Sequence, residues 1–139
     1  VRPFHAVKPY RLEMGAKLAV DDARDLYAFW NDKLARAIAP AGSNTTIVNL
    51  ASVEYAKAVL PHLAGDATAV TCLFGEGVRN GKPIQRSTAS KKARGSMVRW
   101  MAENKLEDAS ELTAFNIGYR HIPELSDKNT LVFMNAQAL

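Results

Sequence analysis

Apolar residues recur at helical spacing in the first third of the chain. Four of them follow one another every four positions: Leu26, Trp30, Leu34 and Ile38. This spacing predicts one amphipathic helix that begins at Asp21 and Asp22, whose charges suit a helix N-terminus. The sequence Pro-Ala-Gly at 40–42 predicts its end.

A second helical pattern begins at Ser90, which is suited to cap a helix that runs to about Leu106. At about 100° per residue, four apolar positions share one arc of this helix. They are Ala93, Met97, Trp100 and Met101. Lys92, Gly95 and Arg99 fall on the opposite side, so we expect a buried stripe and a basic exposed face.

Strand patterns surround these helices. Residues Thr45–Leu50 form a β-branched run that predicts a buried strand, and Ser52 follows it as the cap of a helix that ends before Pro61. A strand that leads into a helix N-terminus is typical of anion sites, because free backbone N–H groups meet there. The last strand is predicted at Thr130–Met134.

A hairpin is predicted in the middle of the chain. Asn80-Gly81, the preferred two-residue loop of a type I′ turn, separates predicted strands at Ala69–Val78 and Pro83–Thr88. Gly75 and Gly77 indicate a close backbone approach within the first of these strands. Residues 113–121 are expected to be extended. The fold class is therefore α/β in the mixed α+β sense, with a mixed sheet, an Asn-Gly hairpin and flanking amphipathic helices.

Length and composition limit the functional classes. The 139 residues (15.2 kDa) suit a single domain, 1–139, and 47% hydrophobic with 23% charged residues is typical of a globular protein. No apolar run reaches the roughly 18 residues of a membrane helix. One cysteine, Cys72, excludes a disulfide scaffold and favours a reducing, cytoplasmic setting. It lies in a predicted strand, where we expect a small buried hydrophobe. The three histidines lack metal-ligand spacing, so we expect neither a metal nor another cofactor.

Positive charge is concentrated in one segment. The chain has a net charge of +4, but residues 76–105 carry eight cationic and two acidic side chains, a net +6, and the remainder sums to −2. Such a segment on a near-neutral body is typical of polyanion contact, with a solvated helix face as the simpler alternative. The strongest candidates for that contact are Lys91, Lys92, Arg94 and Arg99.

Two further polar clusters are candidates for a pocket. Arg11 and Glu13 lie on one side of an extended segment, where an ion pair and a ligand-binding role are both open. The second cluster surrounds the predicted strand-to-helix junction: Asn49, Ser52, Glu54 and Tyr55. Arg11, Asn49 and Ser52 could line a pocket. Glu13, Glu54 and Tyr55 are weak candidates for acid–base chemistry, which would need shifted pKa values.

Four motifs in the same order resemble the YaaA family of bacterial peroxide-stress proteins. They are Pro-Tyr-Arg-Leu-Glu-Met-Gly at 9–15, Leu-Tyr-Ala-Phe-Trp at 26–30, Asn-Leu-Ala-Ser-Val-Glu-Tyr at 49–55 and Lys-Lys-Ala-Arg-Gly at 91–95. Phe115 to Tyr119 also looks like a segment of that family. The resemblance covers nearly all of this chain but only the C-terminal half of the family's protein.

The resemblance implies a cytoplasmic protein of the oxidative-stress response that binds duplex or branched DNA without sequence specificity through a basic cleft. The family's helix-hairpin-helix element belongs to the N-terminal half. The alternative is an enzyme acting on a phosphorylated or nucleotide-like small molecule in the same basic pocket. Convergence of the polar clusters in one concavity would favour the enzyme, and a basic stripe spread over the surface would favour DNA.

The chain begins at Val1 and not at methionine, so we expect that it is part of a longer protein. An apolar face around Leu26, Trp30 and Leu34, or on the hairpin, should then be exposed. We expect the N-terminal half of the longer protein, or another chain, to cover it.

Overall fold

The computed structural model describes residues 6, 8, 13–20 and 22–137. The strands are β1 (Lys17–Val20), β2 (Ala23–Asp25), β3 (Thr46–Asn49), β4 (Thr68–Gly75), β5 (Val78–Arg79), β6 (Lys82–Pro83), β7 (Tyr119–His121) and β8 (Thr130–Asn135). The α-helices are α1 (Leu26–Trp30), α2 (Lys33–Ile38), α3 (Val53–Ala56) and α4 (Ser87–Glu103). Short 3₁₀ turns occupy Leu60–His62, Ala109–Ala114 and Pro123–Leu125.

One four-stranded sheet organises the fold, in the order β3-β4-β8-β7. The first three strands run parallel, and β7 is antiparallel to β8. Two small ribbons, β1–β2 and β5–β6, stand apart from this sheet. The predicted mixed α/β fold with a mixed sheet is confirmed, as are the strands predicted at Thr45–Leu50 and Thr130–Met134.

Aromatic rings fill the core between the sheet and α4. Phe74 of β4 lies opposite Phe133 of β8 in the strand register, and their rings stack with centroids 5.5 Å apart. Phe115 meets both rings edge-on. Ala93 and Met97 of α4 are buried against this cluster, and Trp100 and Met101 pack on it while half-buried. The predicted apolar stripe of α4 is therefore confirmed.

The start of α4 differs from the prediction. The helix begins at Ser87 with Arg86 in the cap position, and Ser90 lies inside the first turns. The Ser90 side chain is buried, and its hydroxyl donates a hydrogen bond to the Phe74 carbonyl oxygen at 3.3 Å. Ser90 thus satisfies a buried sheet carbonyl, a tertiary contact that local sequence rules do not reveal.

The first predicted helix is wrong in its start and in its continuity. Residues 23–25 form β2, and the helix begins at Leu26, where the Asp25 carboxylate accepts from the Ala28 N–H at 2.8 Å. Asn31, with φ 43°, breaks the stripe into α1 and α2. Asp21, one of the two predicted N-terminal residues, lies outside the described residues.

The hairpin is present but shorter than predicted. Asn80 and Gly81 have φ of 51° and 72°, as a type I′ loop requires, and only two residues on each side pair. β4 ends at Gly75, where a Cβ atom would lie 2.6 Å from Met134 Sδ and 2.8 Å from Pro83 Cβ. The crossing of the hairpin over Gly75 therefore needs the absence of a side chain.

The predicted extension over 113–121 is wrong at its first two residues and confirmed as a strand at its last three. A 3₁₀ turn over Ala109–Ala114 opens with a reciprocal capping box between Asp108 and Glu111. Only the last three residues, β7, join the sheet. The capping box is visible in the sequence as an acid followed three residues later by glutamate.

Apolar surface is exposed on the hairpin and at the end of the first stripe, whereas Leu26, Trp30 and Leu34 of the predicted face are half-buried. Ile38, at the end of the first stripe, is 52% exposed, and Val78 of the hairpin is 50% exposed. Trp30 and Trp100 are each half-buried. Covering of these residues by further chain or by a partner stays a prediction.

A carboxylate holds the carboxyl ends of two strands together. Glu76, directly after β4, accepts hydrogen bonds from the Tyr119 hydroxyl and, at 2.7 Å, from the Asn135 side-chain amide. Burial, followed by the bond to Glu76, raises the pKa of Tyr119 to about 12. We call these three residues the Glu76 clamp, because they join β4, β7 and β8.

The clamp predicts a loss of stability at alkaline pH. The folded protein holds the Tyr119 proton up to a pKa of about 12, whereas the unfolded chain releases it near a pKa of about 10. The free energy of unfolding contributed by this group is therefore complete below about pH 10 and falls between about pH 10 and 12. Denaturant unfolding across that range measures it, and Tyr119→Phe should flatten the profile.

Glu76→Gln tests the clamp more directly than Tyr119→Phe. A glutamine offers one acceptor and one donor group, so it cannot accept from both Tyr119 and Asn135 in the same way, and the unfolding free energy should fall by about 1–3 kcal/mol. Glu124→Gln is the control, since Glu124 lies exposed in a 3₁₀ turn. Equal stability of the Glu76→Gln chain and the parent would contradict this role of the clamp.

Candidate functional site

The exposed side of α4 carries three cations, of which two have no ion-pair partner among the described residues. Lys91, Lys92, Gly95 and Arg99 fall within an arc of about 100° and are all exposed. We call these four residues the basic face. Among the described residues, Lys91 and Lys92 have no ion-pair partner, whereas Arg99 Nε lies 2.7 Å from Glu103 Oε1. Most of the available charge of the face is therefore near the start of the helix.

A broad recess adjoins this face at the beginning of α4. It has a volume of about 610 Å³ and is lined by residues 85–89 together with Lys92. The first turn of the helix contains no acidic residue, and its N–H groups lack intrahelical partners. The helix dipole and Lys92 both favour an anion in this recess.

Arg94 lies apart from the basic face. It is half-buried, and its Nε atom is buried without a hydrogen-bond partner. It lines a cavity of about 360 Å³ beside β3, β4 and α3. The polar lining residues are Asn49, Lys57, Thr71, Gln85 and Arg94, and the apolar ones include Val53, Leu60, Pro61 and Leu73. We call this space the Asn49–Arg94 cavity.

Asn49 shapes the wall of the cavity at the end of β3. Its side-chain amide donates to Thr71 Oγ1 at 3.1 Å, and its side-chain oxygen accepts from the Ala51 N–H at 3.1 Å. Asn49 is only 7% exposed. Ser52 occupies the cap position of α3, as predicted, but its side chain makes no capping hydrogen bond. The junction is therefore fixed by Asn49.

The three candidates for acid–base chemistry differ in their contacts and in their exposure to solvent. Glu54 Oε1 accepts from the Met14 N–H at 2.9 Å, which ties the segment before β1 to α3. Glu13 is exposed and its carbonyl oxygen accepts from the Ala16 N–H in a turn. Tyr55 is 44% exposed on α3. Arg11, which shares the first polar cluster with Glu13, lies outside the described residues.

The predicted clusters converge only in part. Asn49 and Arg94 meet in one cavity, while Lys91, Lys92 and Arg99 remain on the solvent side of α4. Arg94 lies about 60° from Met97 around the helix axis, so helical periodicity already puts it beside the buried stripe. The Glu76 clamp has no comparable signal, because its members are far apart in the chain and only the sheet brings their strands together.

The one cysteine of the sequence is buried in the core. Cys72 lies on β4, 2% exposed, and burial raises the pKa of its thiol to about 12. A thiol in that state is protonated at neutral pH and is a poor nucleophile. The expectation that Cys72 acts as a small buried hydrophobe is confirmed.

The described part of the chain lacks the features of two other classes of site. No group of three or more His, Cys, Asp or Glu side chains is arranged there to hold a metal ion. None of the helices in that part has both the length and the apolar character needed to cross a membrane.

Comparison with known proteins identifies a family model and relatives that match this chain. The family model described as "Peroxide stress protein YaaA" matches residues 1–125. The chain is 45% identical over 139 residues to a UPF0246 protein of Desulfitobacterium hafniense (strain Y51), covering 99% of this chain and 54% of that relative. It is 43% identical over 135 residues to a UPF0246 protein of Pediococcus pentosaceus, covering 96% and 53%. The chain thus spans about half the length of these relatives, and it belongs to the YaaA peroxide stress protein family.

Proposed function

We propose that this protein acts in the peroxide-stress response in the cytoplasm and contacts the phosphate backbone of DNA through the basic face of α4 and its adjoining recess. The contact is independent of base sequence. Lys91 and Lys92 provide the charge, and the first-turn N–H groups of α4 donate to a phosphate in the recess. Family membership supports the stress role, and the charge distribution supports the polyanion.

The pair of adjacent lysines carries this proposal. A cation on this helix can be neutralised within its own turn, as Arg99 is by Glu103. Lys91 and Lys92 have no such partner among the described residues, and they stand beside a helix N-terminus free of acidic side chains. Phosphate contacts from lysines, backbone N–H groups and helix N-termini position proteins on DNA without reading its sequence.

Gly95 gives independent support. A glycine inside an exposed helix costs about 0.5–1 kcal/mol relative to alanine. Its φ is not positive, and nothing lies within 4 Å of the position a Cβ would take. No contact within the described chain therefore needs glycine here, whereas a phosphate backbone lying against the helix would gain from the missing side chain.

The thiol chemistry of Cys72 does not enter this proposal. A buried, protonated thiol reacts slowly with peroxide. In this proposal the protein acts downstream of the oxidant, at the nucleic acid.

Replacing the lysines should weaken DNA binding and its salt dependence together. For Lys91→Gln/Lys92→Gln, the log–log slope of affinity against salt should become shallower by about 0.9 for each phosphate that the variant no longer neutralises. Fluorescence anisotropy with a labelled mixed-sequence duplex, between about 50 and 200 mM salt, measures this slope.

The matched control is Lys17→Gln/Lys128→Gln, which removes the same charge from β1 and from the turn before β8. That chain should keep the parent slope. If both double variants change the slope equally, net charge and not the basic face governs binding, and the proposal fails.

Gly95→Ala should change the stability and the DNA affinity in opposite directions. The substitution should raise the unfolding free energy by about 0.5–1 kcal/mol, because alanine favours the helix. It should also weaken DNA binding, because the methyl group keeps the phosphate away from the backbone. Urea unfolding and the same anisotropy assay report the two effects, and Gly65→Ala is a control in open space. A stabilised chain with unchanged DNA affinity would exclude close approach at Gly95.

A further inference from the structure

The Asn49–Arg94 cavity has a buried hydrogen-bond donor without an acceptor. Arg94 Nε is out of contact with solvent and has no partner among the described residues. Buried polar atoms are nearly always paired, so an unpaired one calls for a group that the protein itself does not supply. The other lining residues offer no carboxylate, so the described part of this cavity supplies no anionic partner for the Arg94 guanidinium.

The residues near Arg94 in the cavity lining also favour a negatively charged ligand. Thr71 Oγ1 accepts from the Asn49 amide, so its own proton is directed elsewhere. Lys57 also lines the space, with its ammonium group 5.1 Å from the centroid of the Tyr27 ring. A guanidinium pairs best with a planar carboxylate or with a phosphate, because two parallel hydrogen bonds can form.

The remaining wall is apolar. Leu60, Pro61 and Leu73 line the space, and its volume of about 360 Å³ is far larger than a single water needs. It lies in the size range of small-molecule sites, which are mostly apolar with a few placed polar groups. Val53, another lining residue, is 82% exposed, so the cavity opens to solvent.

We propose that the Asn49–Arg94 cavity binds a small molecule that has an apolar body and one carboxylate or phosphate group, which pairs with Arg94. The site lies toward the carboxyl ends of the parallel strands β3 and β4, the edge at which parallel sheets commonly bind ligands. It shares Gln85 with the recess at the start of α4 but contains none of the four residues of the basic face, and it does not depend on DNA binding.

The test titrates the protein with four probes by isothermal calorimetry. Phenyl phosphate and phenylacetate carry a ring and an oxyanion, benzyl alcohol carries the ring alone, and inorganic phosphate carries the oxyanion alone. One or both of the first two should bind at least about tenfold more tightly than either of the last two. The stronger of the two identifies the oxyanion that the site prefers.

Variants locate the binding. Arg94→Gln should weaken the preferred probe by about tenfold or more, whereas Lys128→Gln, which is not a lining residue of the cavity, should not. Arg94→Lys keeps the charge and removes the planar fork, so it should bind with intermediate affinity and serves if the glutamine variant does not fold. Absence of binding by both ring-bearing anions up to about 10 mM, or equal affinity in the parent and the Arg94 variants, would overturn the proposal.

Discussion

The docking of α4 on β4 fixes which side chains of this helix face solvent. Ala93 and Met97 are buried against Phe74, and the Ser90 hydroxyl donates to the Phe74 carbonyl oxygen. These contacts set the rotation of the helix about its axis. Once that rotation is set, Lys91 and Lys92 must point outward and Arg94 must lie at the boundary. The two candidate binding regions of the molecule follow from this single packing arrangement.

The carboxyl edge of the parallel sheet is stabilised by side-chain hydrogen bonds. Asn49 ends β3 and bonds to Thr71, and Glu76 follows β4 and bonds to Asn135 at the end of β8. Without such hydrogen bonds, the residues that follow each strand would be free to move. The same bonds commit Asn49 and Glu76 to structure, which leaves the Arg94 guanidinium, among the described residues that line the cavity, as the group proposed to pair with a ligand.

Elements governed by local periodicity were predictable from sequence. The apolar stripe of α4 and the Asn80-Gly81 loop both depend on neighbours within a few residues, and the structure contains both. Elements decided by tertiary contacts were not. Ser90 looks like a cap but bonds to a strand 16 positions away, and Asn31 interrupts a stripe whose spacing is unbroken.

In the candidate site, too, features set by local periodicity could be predicted and features set by tertiary contacts could not. The exposure of Lys92, Gly95 and Arg99 could be predicted, because helical periodicity alone separates a buried side from an exposed one. The ion pair of Arg99 could also be predicted from the sequence, because Glu103 follows four residues later. The cavity beside Arg94 required the crossover from β3 to β4, and no local pattern brings Asn49 and Arg94 together.

The central claim is that α4 presents two distinct anion-binding regions, of which DNA uses only the outer one. A ¹H–¹⁵N NMR titration of the protein with a short mixed-sequence DNA duplex tests it most directly. We expect shifts at the amides of residues 86–92 and at Gly95, with Asn49 and Thr71 unchanged. Shifts centred on Asn49 and Thr71, with Lys91 and Lys92 unmoved, would contradict it.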